Sequence, residues 1–181
     1  MTLLACMRLF AEFRAPSWDG WREVLAALTA DIRELYAAVG RGAGKSRIAA
    51  LLGCWYATRA YRLVPGERVF IGIFAPDKRQ AGVTFRYLRG LLQSVPELAA
   101  LIVSETRESV ELRTGVVIEV IAANLAAPRG RAYALALLEE AAFLRSEDRA
   151  NPDVELVRAI RPALARVPGS LLVVISSPYA R

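Results

Sequence analysis

Histidine is absent from the 181-residue chain, and cysteine occurs only twice, as Cys6 and Cys54. With no imidazole and two thiols far apart in sequence, neither a zinc site nor a disulfide scaffold is indicated, and both cysteines read as reduced packing residues. Long apolar runs are also missing: no segment approaches the roughly 20 residues of a membrane span. The apolar opening ten residues lack a basic front and a small-residue cleavage site, and Arg8, Glu12 and Arg14 crowd them with charge. A soluble, intracellular protein is the expectation. Repeats, low-complexity tracts and linkers are lacking too. At 55% hydrophobic content the 181 residues can bury one sizeable core, so residues 1–181 are expected to form a single domain.

Lysine is scarce. Of 24 basic residues only Lys45 and Lys78 are lysines, and the net charge of +6 allows a polyanionic partner without naming one. Genome composition explains an arginine bias in general. It does not explain a lysine kept inside a glycine-rich loop, where a compact ammonium is the useful group.

The remaining pattern alternates strands with helices. Residues 34–39 read as a short strand running into the glycine-rich loop, and residues 47–61 have helical spacing. Residues 69–75 read as a buried strand closed by Pro76-Asp77, and 78–92 as an amphipathic helix. Around Thr114-Gly115, residues 109–113 and 116–122 suggest a hairpin appended to a parallel core. Residues 133–138 form a third core strand ending in two acids, 154–166 a helix, and 170–175 a final strand ending in Ser176-Ser177-Pro178. This order favours an α/β fold, a mostly parallel sheet with helices on both faces. Ligands of such sheets sit at the carboxyl ends of the strands, where all three motifs of this chain fall.

The loop Val39-Gly40-Arg41-Gly42-Ala43-Gly44-Lys45-Ser46 has the parts of a phosphate cradle. Gly40, Gly42 and Gly44 give the backbone freedom to curl its N–H groups around phosphate oxygens, Lys45 supplies charge, and Ser46 a hydroxyl for magnesium. A helix starting near Lys45 adds its positive end. The full pattern has a glycine where this chain has Val39. A plain glycine-rich turn is the bland alternative. Glu139 and Glu140 end the strand Ala134-Leu135-Ala136-Leu137-Leu138. Adjacent acids at a strand end point in different directions, so one can hold a magnesium shell while the next polarises an attacking water. The competing reading is a helix beginning at Glu139, since its dipole favours acids in the first turn.

Together these pieces resemble the ATPase domain of the large terminase subunit, the motor that packages DNA in tailed bacteriophages. Glu34-Leu35-Tyr36 leading into Gly40 to Ser46 looks like that family's variant P-loop, which often lacks the first glycine and carries an internal arginine such as Arg41. Ala75-Pro76-Asp77-Lys78-Arg79-Gln80-Ala81 is similar to its stretch after the second strand. Arg129-Gly130 and Leu137 to Phe143 resemble its Arg-Gly segment and acidic motif, with Glu139 in place of the usual aspartate. Ser176-Ser177-Pro178 resembles its coupling motif, which senses the terminal phosphate.

The resemblance implies a three-layer, ASCE-type P-loop fold and magnesium-dependent ATP hydrolysis. It implies Ser46 and Glu139 as magnesium ligands, Glu140 as the catalytic acid, and Arg129 as an arginine finger acting on a neighbouring subunit's ATP. Residues 40–46 with Ser176 and Ser177 would bind the nucleotide. Implied partners are double-stranded DNA, the portal protein of a viral prohead, the small terminase subunit and further copies in a ring, in the cytoplasm of an infected bacterium. Arg129 and Arg131 also read as a solvated basic loop, and Arg41 as merely exposed. A full terminase continues into a nuclease domain, so no nuclease activity is expected from a chain ending at Arg181, whether it is a truncated form, a remnant gene or one half of a split protein. The family places adenine contacts near Phe13 to Trp18 and Trp21, yet Trp18 and Trp21 at i, i+3 on an amphipathic helix are more often core. Rival readings are a small P-loop kinase and a catalytically idle nucleotide-binding assembly module. A GTPase lacks its Asn-Lys-x-Asp signature here.

Overall fold

The computed structural model describes residues 2–28, 31–123, 130–144 and 152–178. Two helices open the chain, α1 (Leu3–Leu9) and α2 (Asp19–Ala26), separated by 3-10 turns at Ala11–Arg14 and Pro16–Trp18. Then come β1 (Glu34–Ala38), α3 (Lys45–Ala57), β2 (Val69–Ala75) and α4 (Lys78–Ser94). A short α5 (Pro96–Ala99) leads to β3 (Ile102–Glu105), β4 (Ser109–Leu112) and β5 (Val116–Ala122). β6 (Tyr133–Glu139), α6 (Pro152–Leu164) and β7 (Leu171–Ser176) complete the order.

Local chemistry accounts for these boundaries. The Asp77 carboxylate caps α4 by accepting from the Gln80 N–H at 2.9 Å. Along α4, Ala81, Phe85, Leu88 and Leu92 recur at helical spacing and are buried against the sheet. β6 is buried along its whole length, as expected of a strand covered on both faces.

One seven-stranded sheet results, in the order β1-β7-β6-β2-β5-β4-β3. The first five are parallel, and β4 and β3 are antiparallel additions at one edge. α3 and α4 pack together over one face, with α1 against α3, around a core that includes Ile48, Leu52, Ile73 and Leu137. α6 covers β6 and β7 on the other face, where Leu156, Val157 and Ile160 meet Phe74 and Leu138.

The expected α/β architecture is therefore present, with differences in detail. The turn at Thr114-Gly115 does join an antiparallel pair, but β5 pairs in parallel with β2 over its whole length and belongs to the core rather than to an appendage. β3 was not anticipated from the sequence, because Val103, Ser104 and Glu105 are all exposed and leave no alternating signature. Trp18 ends a 3-10 turn and Trp21 lies in α2, so they do not share one helix, but both are buried in the core as the sequence suggests. Among the described residues no helix is long and apolar enough to cross a membrane.

Candidate active site

The strand order explains how motifs far apart in sequence meet. β7 returns between β1 and β6, so three parallel neighbours present their carboxyl ends side by side. Ala38 is level with Ser176, and Glu139 with Ile175. Above these ends lies a cavity of about 1220 Å³. It is lined by the loop from Arg41 to Ser46 with Glu139, Glu140 and Ser177, by Trp18 and Trp21, and by Gln80, Val83 and Tyr87 of α4.

The loop leaves β1 through a bond from the Val39 N–H to the Ser176 carbonyl at 3.0 Å. Gly42 and Gly44 both have positive φ, +80° and +77°, a conformation that L side chains rarely adopt. Only the Ala43 N–H turns back onto the loop, reaching the Gly40 carbonyl at 3.4 Å. Among the described residues no protein acceptor faces the N–H groups of Gly42, Gly44, Lys45 or Ser46. Four such donors at the start of a 13-residue helix give the geometry that can receive an anion. The Lys45 ammonium lies across it, donating to the Val39 and Gly40 carbonyls at 3.0 and 3.1 Å. Arg41 is exposed at the cavity edge.

The two acids diverge. Glu139 is the last residue of β6 and is buried, and its Oε1 accepts from the hydroxyl of Thr84, a fully buried residue of α4. Burial pushes its carboxyl up to about 7, aided by the neighbouring Glu140 charge and opposed by the Thr84 hydrogen bond and the Lys45 charge. Glu140 has φ of 50°, which turns the chain out of the sheet. Its N–H donates to the Ile175 carbonyl at 2.8 Å, and its carboxylate accepts from the Ser177 N–H and hydroxyl, both at 3.4 Å. A single 3-10 turn, Ala141–Phe143, follows, so the helix that might have begun at Glu139 does not form there.

The raised Glu139 carboxyl carries a stability prediction. Its folded-state value of about 7 lies above the ordinary 4.5, so the charged form is what folding disfavours. The cost is absent below about pH 4.5, grows through the window up to about pH 7, and is fully present above it. Glu139→Gln keeps the acceptor for Thr84 and removes the charge. It is expected to stabilise the nucleotide-free protein at pH 8 by at most about 3 kcal/mol and to leave it nearly unchanged near pH 5. Urea unfolding at the two pH values measures this; an equal gain at both would show that buried charge is not the cause.

Not every expected site residue joins the cavity. The Ser176 hydroxyl accepts from the Ala142 N–H at 3.2 Å and so braces the turn after Glu140. Arg129 lies outside the described residues. Arg131 lies in the irregular segment before β6 with its side chain partly in solvent, and it also pairs with Glu119 at 2.8 Å and lies over the Phe70 ring. Thr84 was missed by sequence reasoning, although a threonine inside the apolar stripe of α4 was a signal that the stripe faces something polar. Nothing in the sequence signalled the bond from the Trp21 indole to the Ala43 carbonyl, at 2.7 Å.

No protein-family model matches the sequence, and no curated protein does. Among solved structures, the chain is similar to the HK97 bacteriophage large terminase, with a TM-score of 0.66 and 19% identity over 87% of this chain and 32% of that one. It is also similar to the large terminase ATPase domain of Thermus phage P74-26, with a TM-score of 0.58 and 18% identity over 93% of this chain and 72% of that one. The chain thus spans about a third of the HK97 protein, at 32% of its length. The resemblance carried by the motifs is met at the level of the fold: the chain has the P-loop fold of large terminase ATPase domains.

Proposed function

We propose that this chain binds ATP with magnesium in the cavity above β1, β7 and β6 and hydrolyses it, as the ATPase part of a large terminase subunit. The observation that carries the reading is convergence. One cavity collects the unpaired N–H groups of the loop, Lys45, Ser46, both glutamates and Ser177, in a fold shared with large terminase ATPase domains.

Each residue then has a task its surroundings permit. Gly42, Gly44, Lys45 and Ser46 receive phosphate oxygens on their N–H groups, while Gly40, Arg41 and Ala43 complete the loop. The Lys45 ammonium exchanges the Val39 and Gly40 carbonyls for the terminal phosphates. The donor set fits magnesium: the Ser46 hydroxyl and Glu139 carboxylate are hard oxygens on one cavity. Among the described residues no cluster of three His, Cys, Asp or Glu side chains offers a metal cage, and magnesium usually takes only one or two protein oxygens beside substrate phosphates. A divalent cation also offsets the burial of the Glu139 charge. Magnesium held there would neutralise charge developing on the phosphate oxygens. Glu140 is the residue proposed to orient and deprotonate the attacking water, and its contact with Ser177 ties it to the end of β7. Ser176 supports this arrangement through Ala142 rather than by touching nucleotide.

By the same reading, hydrolysis drives double-stranded DNA into a prohead, with the portal protein and small terminase subunit as partners and a ring of copies in which Arg129 reaches a neighbour's ATP. Phosphate release from the purified chain tests this. Release is expected to need magnesium, to stop with chelator, and to rise several-fold with linear double-stranded DNA. Phosphate transfer to a small nucleoside instead of water would replace the motor with a kinase.

A further inference from the structure

The two tryptophans on the cavity wall touch the phosphate loop itself, from a segment that precedes β1. The Trp21 Nε1–H donates to the Ala43 carbonyl at 2.7 Å. The Trp18 ring lies against Gly44 so closely that a Cβ there would stand 2.4 Å from its nearest carbon. Neither ring is loosely held. Trp18 packs edge-on to Phe13 with ring centres 4.9 Å apart, and the Arg22 guanidinium, one residue past Trp21, donates to the Phe13 and Ala15 carbonyls at 2.7 and 3.0 Å. Glu12 of the same segment pairs at 3.6 Å with Arg47 in the first turn of α3.

Peptide geometry turns this contact into a statement about the site. In a planar trans peptide the C=O of one residue and the N–H of the next point in opposite directions. None of the peptide bonds of the described residues is cis. Holding the Ala43 carbonyl on the indole therefore turns the Gly44 N–H away from Trp21, and that N–H has no protein acceptor among the described residues. Gly44, with no Cβ to restrict its φ, would otherwise ease a flip of this peptide, and a flip would present a carbonyl oxygen where an anion has to bind.

Resting on the nucleotide-site reading above, we infer that Trp21 is a positioning residue for the phosphate subsite: its indole N–H locks the 43–44 peptide with the Gly44 N–H toward the phosphates, and Trp18 packs against Gly44 from the cavity wall. Its task is then indifferent to the base. A ring that stacked on adenine would act the other way, on the nucleoside alone.

Two ligands separate these roles in the full 181-residue chain. Binding of MgATP and of magnesium tripolyphosphate, which has no base, is measured by calorimetry for wild type, for Trp21→Phe, and for Trp21 replaced site-specifically by 3-benzothienylalanine, whose sulfur replaces the N–H in a ring of the same shape. The expected result is a fall in affinity of about five- to tenfold, equal for the two ligands and present in both variants, with the unfolding midpoint unchanged in the isosteric benzothienyl variant. Loss of ATP affinity alone, unchanged binding of both ligands, or a loss that tracks a lowered unfolding midpoint would each overturn the inference. A wild-type chain that binds neither ligand would overturn the nucleotide-site reading, and this inference with it.

Discussion

Lys45→Ala is expected to abolish nucleotide binding and turnover together, with kcat/KM falling at least about a hundredfold. The ammonium is the only side-chain cation bonded into the loop among the described residues, and its present partners are two carbonyls that water can satisfy once it leaves. The stability cost is accordingly small, within about 1 kcal/mol, so the loss of function is separable from unfolding. Lys45→Arg should rescue poorly, because a planar guanidinium is longer than the ammonium and cannot take its place between Val39 and Gly40. Calorimetry with MgATP and a phosphate-release assay check both variants. Binding at wild-type strength by Lys45→Ala would sink the assignment of the loop.

Glu140→Gln should behave differently, retaining ATP while turnover falls by about 10²–10⁴. The amide oxygen still accepts from the Ser177 N–H, and the Ser177 hydroxyl can rotate to accept from the new NH₂, so the geometry between β6 and β7 persists. What is lost is the ability to take a proton. Single-turnover hydrolysis beside equilibrium binding separates the two effects. Equal turnover in wild type and variant would remove Glu140 from the chemistry, and weakened binding in the variant would assign it to the nucleotide instead.

Much of this site could be read along the chain because its signals are local. A glycine-rich turn between strand and helix, two acids closing an apolar run, and a serine pair closing another are short patterns with fixed offsets. Their meeting was harder to see. That β7 inserts between β1 and β6 depends on long-range pairing, which no local period records. β5 was mistaken for an appendage because its turn signal advertised the antiparallel neighbour and was silent about β2 on its other side. The pairing of Arg131 with Glu119 joins a loop to β5, and Thr84 and Glu139 meet across 55 residues. In each case the missing information was a partner rather than a residue type.

The left-handed backbone at Glu140, with φ of 50°, also bears on how this position can change over descent. Asparagine, aspartate and glycine enter that conformation readily, whereas β-branched residues are outliers there. With Glu140 in the proposed role, lineages that lose that role while keeping the fold are thus channelled toward a few replacements. Asn, Asp or Gly should recur at this position among decayed relatives, and Val, Ile or Thr should be rare.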